Sequence, residues 1–151
     1  MKFSTRTIYG LKAVLVLASR FGAGSLSVSR IAKKESISVA YLEQILNSLK
    51  KKGLVKSVRG PQGGYILAKT PSEISLESLF YTLEKTDFGE VGKNFRISLE
   101  TDEASIANVL FWKKLKSSVE EGLGGVTLKD LIDESRRIKK SKSQSSYPFH
   151  I

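Results

Sequence analysis

The stretch SVAYLEQILNSLKKKGLVKSVRGPQGGY, residues 38–65, predicts a helix followed by a β-hairpin. Ser38 is a suitable N-cap, because its hydroxyl can accept a hydrogen bond from a free N–H of the first helical turn. Three lysines and then Gly53 suit the other end, where the helix dipole favours cations and glycine adopts the left-handed conformation. The apolar stripe of this helix comprises Val39, Leu42, Ile45, Leu46 and Leu49 at helical spacing.

The opposite face of the helix carries short or hydrogen-bonding side chains, which suit a surface that reads a DNA groove. Two runs rich in branched and aromatic residues, 54–58 and 65–67, predict paired strands. The loop between them is glycine-rich and carries Arg59, so its backbone can approach another molecule closely. We interpret the helix as a recognition helix and the hairpin as a wing. The alternative is a helix packed on a hairpin with a solvated basic end. The face consists of Ala40, Gln44, Asn47 and Ser48, flanked by Tyr41 and Glu43.

The preceding residues predict two helices that complete a helix-turn-helix. The first begins at Ser4 or Thr5 and extends to about Phe21, and residues 13–18 are apolar on every face, so it must be covered on several sides. Ser27 caps a short second helix, and a brief turn at residues 36–37 leads into the recognition helix. The sequence therefore predicts a mainly α-helical protein with a small β-hairpin. Residues 1–84 form its winged helix-turn-helix DNA-binding domain, which ends with a helix capped by Ser75.

Residues 85–134 predict a loop, a long helix from about Asp102 to Leu123 and a docking helix that opens at Thr127. The long helix has two apolar faces, and one small domain rarely covers both. We expect one face to contact its own chain and the other a second subunit; the alternative is a central helix in a monomer. The dimerisation candidates are Val109, Trp112, Leu115 and Val119. From Ser135 the polar, basic composition predicts a flexible tail over residues 135–151.

The net charge of +10 is unevenly distributed along the chain. Residues 1–69 hold 13 Lys and Arg against two Asp and Glu, a net charge of +11, whereas residues 70–151 carry a net charge of −1. Excess positive charge over the half that carries the recognition helix suits binding to a polyanion, through phosphate neutralisation and counterion release. The sequence has no apolar run long enough to span a membrane and no secretory signal peptide, so we expect a cytoplasmic protein.

An enzyme is not expected, because the catalytic parts are missing. The sequence has no cysteine and one histidine, His150, which has no candidate partner near it. The glycine loop of the wing lacks the Gly-Lys-Ser/Thr signature of a phosphate-binding loop, and no catalytic or metal-binding residues are predicted. The competing class is a protein-interaction adaptor that uses a winged-helix scaffold.

Several motifs resemble the Rrf-two (Rrf2) family of bacterial winged-helix transcriptional regulators over most of the chain. They are Ser4-Thr5 with Tyr9-Gly10-Leu11, residues 41–44, the specific block of residues 53–60 with 63–65, Trp112, and residues 127–131. The resemblance implies a dimer whose long helices pair and whose wing enters the minor groove. It implies major-groove contacts for Ser38, Tyr41, Glu43 and Gln44, and a wing tip formed by Arg59, Gly60, Gln62 and Gly63. Lys51 is expected to contact phosphates.

Three of these assignments stay open at this point. Arg59 either inserts into the minor groove or is merely solvated. Tyr41 either stacks under a phosphate or caps the edge of the core. Glu43 either accepts a hydrogen bond from a cytosine amino group or disfavours wrong sites.

Cluster-binding members of the family hold iron–sulfur through three cysteines before the long helix. The corresponding loop, residues 88–104, has none, so no cofactor is expected. The resemblance then points to the cluster-free branch, which includes a repressor of cysteine metabolism. It implies cysteine synthase as a partner that docks on Tyr147, Phe149 and Ile151. The alternatives are a tail folded back on its own dimer, and a regulator of another stress or metabolite signal. We expect a homodimeric repressor of a pseudo-palindromic operator in double-stranded DNA.

Overall fold

The computed structural model describes residues 3–85 and 101–145. The strands pair as an antiparallel hairpin, and a single turn of 3-10 helix at Pro71–Glu73 precedes the fourth helix. The predicted class, mainly α with a small β-hairpin, is confirmed. The elements are α1 (Thr5–Ser19), α2 (Val28–Glu35), α3 (Val39–Lys51), β1 (Val55–Val58), β2 (Gly64–Leu67), α4 (Leu76–Glu84), α5 (Glu103–Leu123) and α6 (Leu128–Ser145).

Short polar side chains set the beginnings of the helices. Ser4, Ser27, Ser38 and Ser75 each accept a hydrogen bond from the backbone N–H three residues later, as the sequence predicts. Asp102 does the same for α5. Each cap satisfies a backbone donor that the helix itself cannot, so these residues fix where the chain changes direction.

α1 is the centre of the core. It packs against α2, α3, α4, α6 and β2, which explains why its middle is apolar on every face. α3 supplies the largest set of fully buried side chains: Leu42, Ile45, Leu46 and Leu49. Val39 departs from the predicted stripe. It is 46% exposed, because it lies in the first turn of α3, where the helix has not yet entered the core.

The hairpin is joined to the domain by a bridge that the sequence does not reveal. Val55 pairs with Leu67 and Val58 with Gly64. On the free side of β2, Leu26 and Tyr65 exchange both backbone hydrogen bonds, at 3.0 and 2.9 Å. The wing is therefore held by the connection between α1 and α2 as well as by its own strands.

The apolar surface of α5 differs from the predicted one. α5 packs against α4. Val109, predicted as a dimerisation residue, is only 9% exposed in the single chain, whereas Leu110 and Phe111 are 59% and 60% exposed. Trp112, Leu115 and Val119 are half-buried. Two large apolar side chains of this helix, neither of them a predicted dimerisation residue, are thus exposed in the single chain.

α6 corrects the predicted flexible tail, residues 135–151, over residues 135–145; residues 146–151 lie outside the described part of the chain. The helix continues to Ser145, although Leu128 and Ile132 are its buried anchors and residues 134–144 are exposed. Its start is a capping box, because Thr127 and Asp130 exchange hydrogen bonds between side chains and backbone, as predicted. Ion pairs one turn apart extend it: Lys129–Asp133, Arg136–Asp133 and Arg137–Glu134. The amino-acid composition of this segment alone does not reveal these ion pairs.

Some predictions lie outside the described residues. They concern the loop at 86–100 and the docking residues Tyr147, Phe149 and Ile151. Among the described residues, no helix is both long and apolar enough to cross a membrane.

Candidate nucleic-acid interface

α3 presents a polar face directly opposite its buried one. Glu43, Gln44, Asn47 and Lys51 are exposed on this helix, and its last turn carries the basic residues. Since the apolar stripe fixes the rotation of α3 on the core, the polar face is held toward solvent. A helix anchored in this way can enter a major groove without losing its own packing.

The turn before α3 sets its direction. Ser36 adopts the left-handed conformation with φ of 56°, and the N–H of Ile37 donates to the carbonyl of Ala32 at 2.9 Å. Ser38 then caps α3 by accepting from the N–H of Tyr41 at 3.2 Å. The turn of the helix-turn-helix is therefore closed by a backbone bond at its start and by a side-chain cap at its end, which fixes α3 relative to α2.

Tyr41 lies at the edge of the core. Its ring meets the ring of Tyr9 edge-to-face, with centroids 6.0 Å apart, and the side chain packs against the buried cluster. Of the two alternatives for this residue, the structure supports the core-edge position. Tyr41 is partly buried in this position.

The wing loop is a tight turn of exposed residues. The N–H of Gly63 donates to the carbonyl of Gly60 at 2.9 Å. A Cβ at Gly63 would lie 2.5 Å from the carbonyl oxygen of Val58, so only glycine fits there. Arg59, Gly60 and Gln62 are exposed at the tip, as predicted for residues that reach a DNA groove.

Side-chain bonds join the recognition helix to both strands of the wing. The phenol of Tyr65 on β2 donates to the Asn47 amide oxygen at 3.3 Å, and the Lys50 ammonium donates to the Ser57 hydroxyl on β1 at 3.0 Å. Burial, and secondarily the charge of Glu43, raises the pKa of Tyr65. The phenol therefore stays a neutral donor at physiological pH. Helix and wing are thereby held as one surface.

The wing loop is also tied to the segment between α1 and α2. The Ser25 hydroxyl donates to the carbonyl of Gln62 at 2.5 Å. Gly64 lies so close to Leu26 that a Cβ would come within 2.2 Å of the Leu26 carbonyl oxygen. The wing is consequently pinned at its tip and at the start of β2.

Sequence reasoning missed the residues that connect these elements. Ser25, Lys50 and Ser57 act through contacts between distant segments, which residue spacing does not encode. Asn47 was assigned to the groove-reading face, yet its amide oxygen is bonded to Tyr65. Arg6 on α1 was also missed: its guanidinium donates to the Ser48 hydroxyl of α3 at 2.5 Å.

The positive charge of the first half remains available at the surface. Among the described residues up to position 69, Lys12 and Glu35 form the one ion pair, at 3.8 Å between side-chain atoms. Of the predicted contact residues, Ser38, Glu43, Gln44 and Lys51 lie on α3 or its cap, and Arg59, Gly60, Gln62 and Gly63 lie at the wing tip. The fold thus brings the two predicted sets onto elements that are bonded together.

Comparison with known proteins decides the family. Residues 3–134 match the family model of Rrf2, described as an iron-dependent transcriptional regulator. The chain belongs to the Rrf2 family. Its match spans the winged helix-turn-helix, α5 and the anchored start of α6. This Rrf2 protein is therefore a DNA-binding transcriptional regulator, as the resemblance implied.

Individual relatives agree with this assignment. The transcriptional regulator CymR of Bacillus subtilis is 34% identical over 151 residues, which cover 100% of both chains. The solved structure of that protein, described as the global cysteine regulator of B. subtilis, gives a TM-score of 0.68 at 33% identity, covering 89% of this chain and 98% of the other. IscR of T. potens gives 0.70 at 38% identity, covering 89% and 88%.

The iron in the family description calls for ligands, and the sequence offers no thiolate among them. The 151 residues contain no cysteine, and their single histidine, His150, lies outside the described residues. Within residues 3–85 and 101–145, no three His, Asp or Glu side chains are grouped so that they could hold a metal ion. Thiolates are the usual ligands of iron–sulfur clusters, so these residues do not fit such a group.

Proposed function

We propose that this Rrf2 protein is a homodimeric repressor that occludes promoter DNA at a pseudo-palindromic operator and controls genes of cysteine or sulfur metabolism. The observation that carries the proposal is the bonded unit of α3 and wing, which exposes Gln44 and Arg59 on adjoining elements. The 34% identity with CymR over both complete lengths favours the cysteine branch over another stress or metabolite signal.

Selection of bound DNA from a random pool tests the function. We expect enriched sequences with two inverted half-sites about one helical turn apart, or a multiple of it, because a two-fold dimer imposes its symmetry on the site. A gel shift at rising salt separates the adaptor alternative, which predicts only salt-labile binding without sequence preference. Such an outcome would remove the repressor proposal.

The contacts should divide into two kinds when single residues are replaced. We expect Gln44→Ala to relax one major-groove position by roughly 1–3 kcal/mol, and Arg59→Ala to weaken binding most where the minor groove is narrow. Lys51→Ala should weaken all sequences alike and flatten the dependence of affinity on salt. Fluorescence anisotropy with the selected site and a scrambled site measures both the loss of sequence preference and the uniform loss of affinity. Equal losses on the two DNAs for all three variants would contradict the assignment.

We also propose that this regulator works without an iron–sulfur cluster. The purified protein should be colourless, and its affinity for DNA should not change with iron or chelators, since no thiolate is present. Anaerobic reconstitution followed by visible spectroscopy checks this. A charge-transfer band stoichiometric with protein would overturn it.

The C-terminal residues are proposed to dock on cysteine synthase, as the resemblance to the cysteine branch implies. Tyr147, Phe149 and Ile151 are apolar residues after a basic helix, and Pro148 lowers the entropy lost on binding. We expect calorimetry with cysteine synthase from the same organism to show binding that O-acetylserine reverses and that deletion of Ile151 abolishes. Unchanged binding after the deletion would favour a tail that packs on its own dimer.

A further inference from the structure

A cavity of about 410 Å³ lies behind the wing. Its walls come from the end of α1, the segment that leads to α2, and the hairpin. Lys56 and Ile66 are cross-strand partners in the hairpin and therefore lie on the same face of it, the face opposite the buried Tyr65. Phe21 and Leu26 supply further apolar walls. The volume is within the range of small-molecule sites in proteins, about 300–1,000 Å³.

The rim of this cavity is cationic. Arg20, Lys56 and Lys69 line it, and none of them forms an ion pair with a carboxylate in the part of the chain that the structure describes. The acidic member of the lining is Glu73. Its carboxylate accepts from the backbone N–H and the hydroxyl of Thr70, at 2.9 and 2.8 Å. Glu73 is thus occupied in closing the turn at Thr70, and the cavity keeps an excess of positive charge.

The same cavity walls hold the wing in place. Leu26 lines the cavity and also exchanges backbone bonds with Tyr65, and Ser25 beside it bonds the wing loop at Gln62. Tyr65 in turn bonds Asn47 of the recognition helix. A molecule between Leu26 and Ile66 would therefore bear on the contacts that orient the wing against α3.

We infer that this cavity is an effector site for a small organic anion, a carboxylate or sulfonate attached to an apolar or aromatic body, and that its occupancy changes affinity for DNA by shifting the wing. The apolar walls accept the body of the ligand, and Arg20 and Lys56 pair with the acid group. The second half of the inference, the change in DNA affinity, rests on the proposed recognition of an operator; the first half, the anion site, does not.

Titration of the full-length protein with anilinonaphthalene sulfonate, followed by dye fluorescence, tests the site. The neutral analogue N-phenylnaphthylamine reports the apolar walls without the charge. We expect the double variant Arg20→Glu, Lys56→Glu to weaken the anionic dye roughly tenfold and leave the neutral dye unchanged. Phe21→Ala should weaken both dyes. Lys139→Glu, a single charge reversal on α6 outside this cavity, should change neither. Equal dye binding by the double variant and the parent would overturn the site.

The coupling is tested by the affinity for operator DNA, measured by anisotropy with and without saturating anionic dye. We expect at least a fivefold change in the parent and in Lys139→Glu, and no change in the double variant, whatever its affinity without dye. If the dye binds but the DNA affinity of the parent does not respond, the regulatory inference is wrong. If the double variant loses DNA affinity while retaining the dye, the cations serve DNA phosphates instead. A parent that binds dye but no operator contradicts the proposed function, not the site.

Discussion

Gly64→Ala is expected to detach the wing and abolish sequence-specific DNA binding. The added Cβ would lie 2.2 Å from the Leu26 carbonyl oxygen and 2.7 Å from the Ser27 backbone nitrogen, and neither backbone atom can move away like the end of a flexible side chain. Relief requires β2 to move from Leu26, which breaks the two hydrogen bonds between Leu26 and Tyr65. We expect a loss of roughly 2–3 kcal/mol in the free energy of unfolding, typical of forced overpacking.

Thermal unfolding at one protein concentration measures the loss of stability, and anisotropy with the operator measures the loss of affinity. Gly125→Ala is the matched control, because a Cβ there meets nothing within 4 Å. Its stability should change by no more than about 0.5 kcal/mol. If Gly64→Ala has the same melting temperature as the parent and binds the operator equally well, docking of the wing on Leu26 is not needed for recognition.

Phe111→Glu is expected to convert the proposed dimer into a monomer and to lower operator affinity about 100-fold or more. Phe111 is 60% exposed, so the substitution should not unfold the chain, but a carboxylate buried between two subunits would lack a partner. The edge-to-face contact with Trp112, at 5.2 Å between centroids, places both rings at one surface of α5. A monomer contacts only one half-site, so it loses the gain in affinity that comes from binding both half-sites together.

Sedimentation velocity at micromolar concentration measures the assembly, and anisotropy with full and half operators measures the affinity. Lys113→Glu is the control. It lies about 200° around the helix from Phe111 and removes more positive charge, so purely electrostatic losses would appear there first. A Phe111→Glu protein that still sediments as a dimer would move the interface away from this surface. A parent that is monomeric and binds half-sites at full affinity would contradict the dimer itself.

The local signals in the sequence were sufficient to predict the helices and the hairpin. Serine caps, the apolar stripe of α3 and the glycines around Arg59 each act over a few residues, so their positions along the chain determine the outcome. The burial predicted from this stripe was wrong at Val39, because burial there depends on where the core ends and not on residue spacing. Composition failed for α6, where ion pairs such as Arg136–Asp133 support a helix that composition treats as disordered.

The candidate interface was only partly predictable for a related reason. Gln44 and Arg59 could be chosen from their types and their places on a helix and a loop. The bonds that align them could not, because Tyr65–Asn47 and Ser25–Gln62 join residues 18 and 37 positions apart. Leu26 follows two glycines, Gly22 and Gly24, in a short connection that gives no strand pattern, yet it completes the attachment of the wing.

The exposed half of α6 determines how far from the DNA-binding body a partner would sit. Ile132 is its last buried side chain, and the helix continues to Ser145. At a rise of about 1.5 Å per residue, this makes a rod of roughly 20 Å. The end of the helix at Ser145 is therefore separated from the buried core, and the proposed partner enzyme would have clearance if it bound the residues that follow. Because this segment is a helix and not a flexible linker, it would also restrict the directions from which that enzyme can approach.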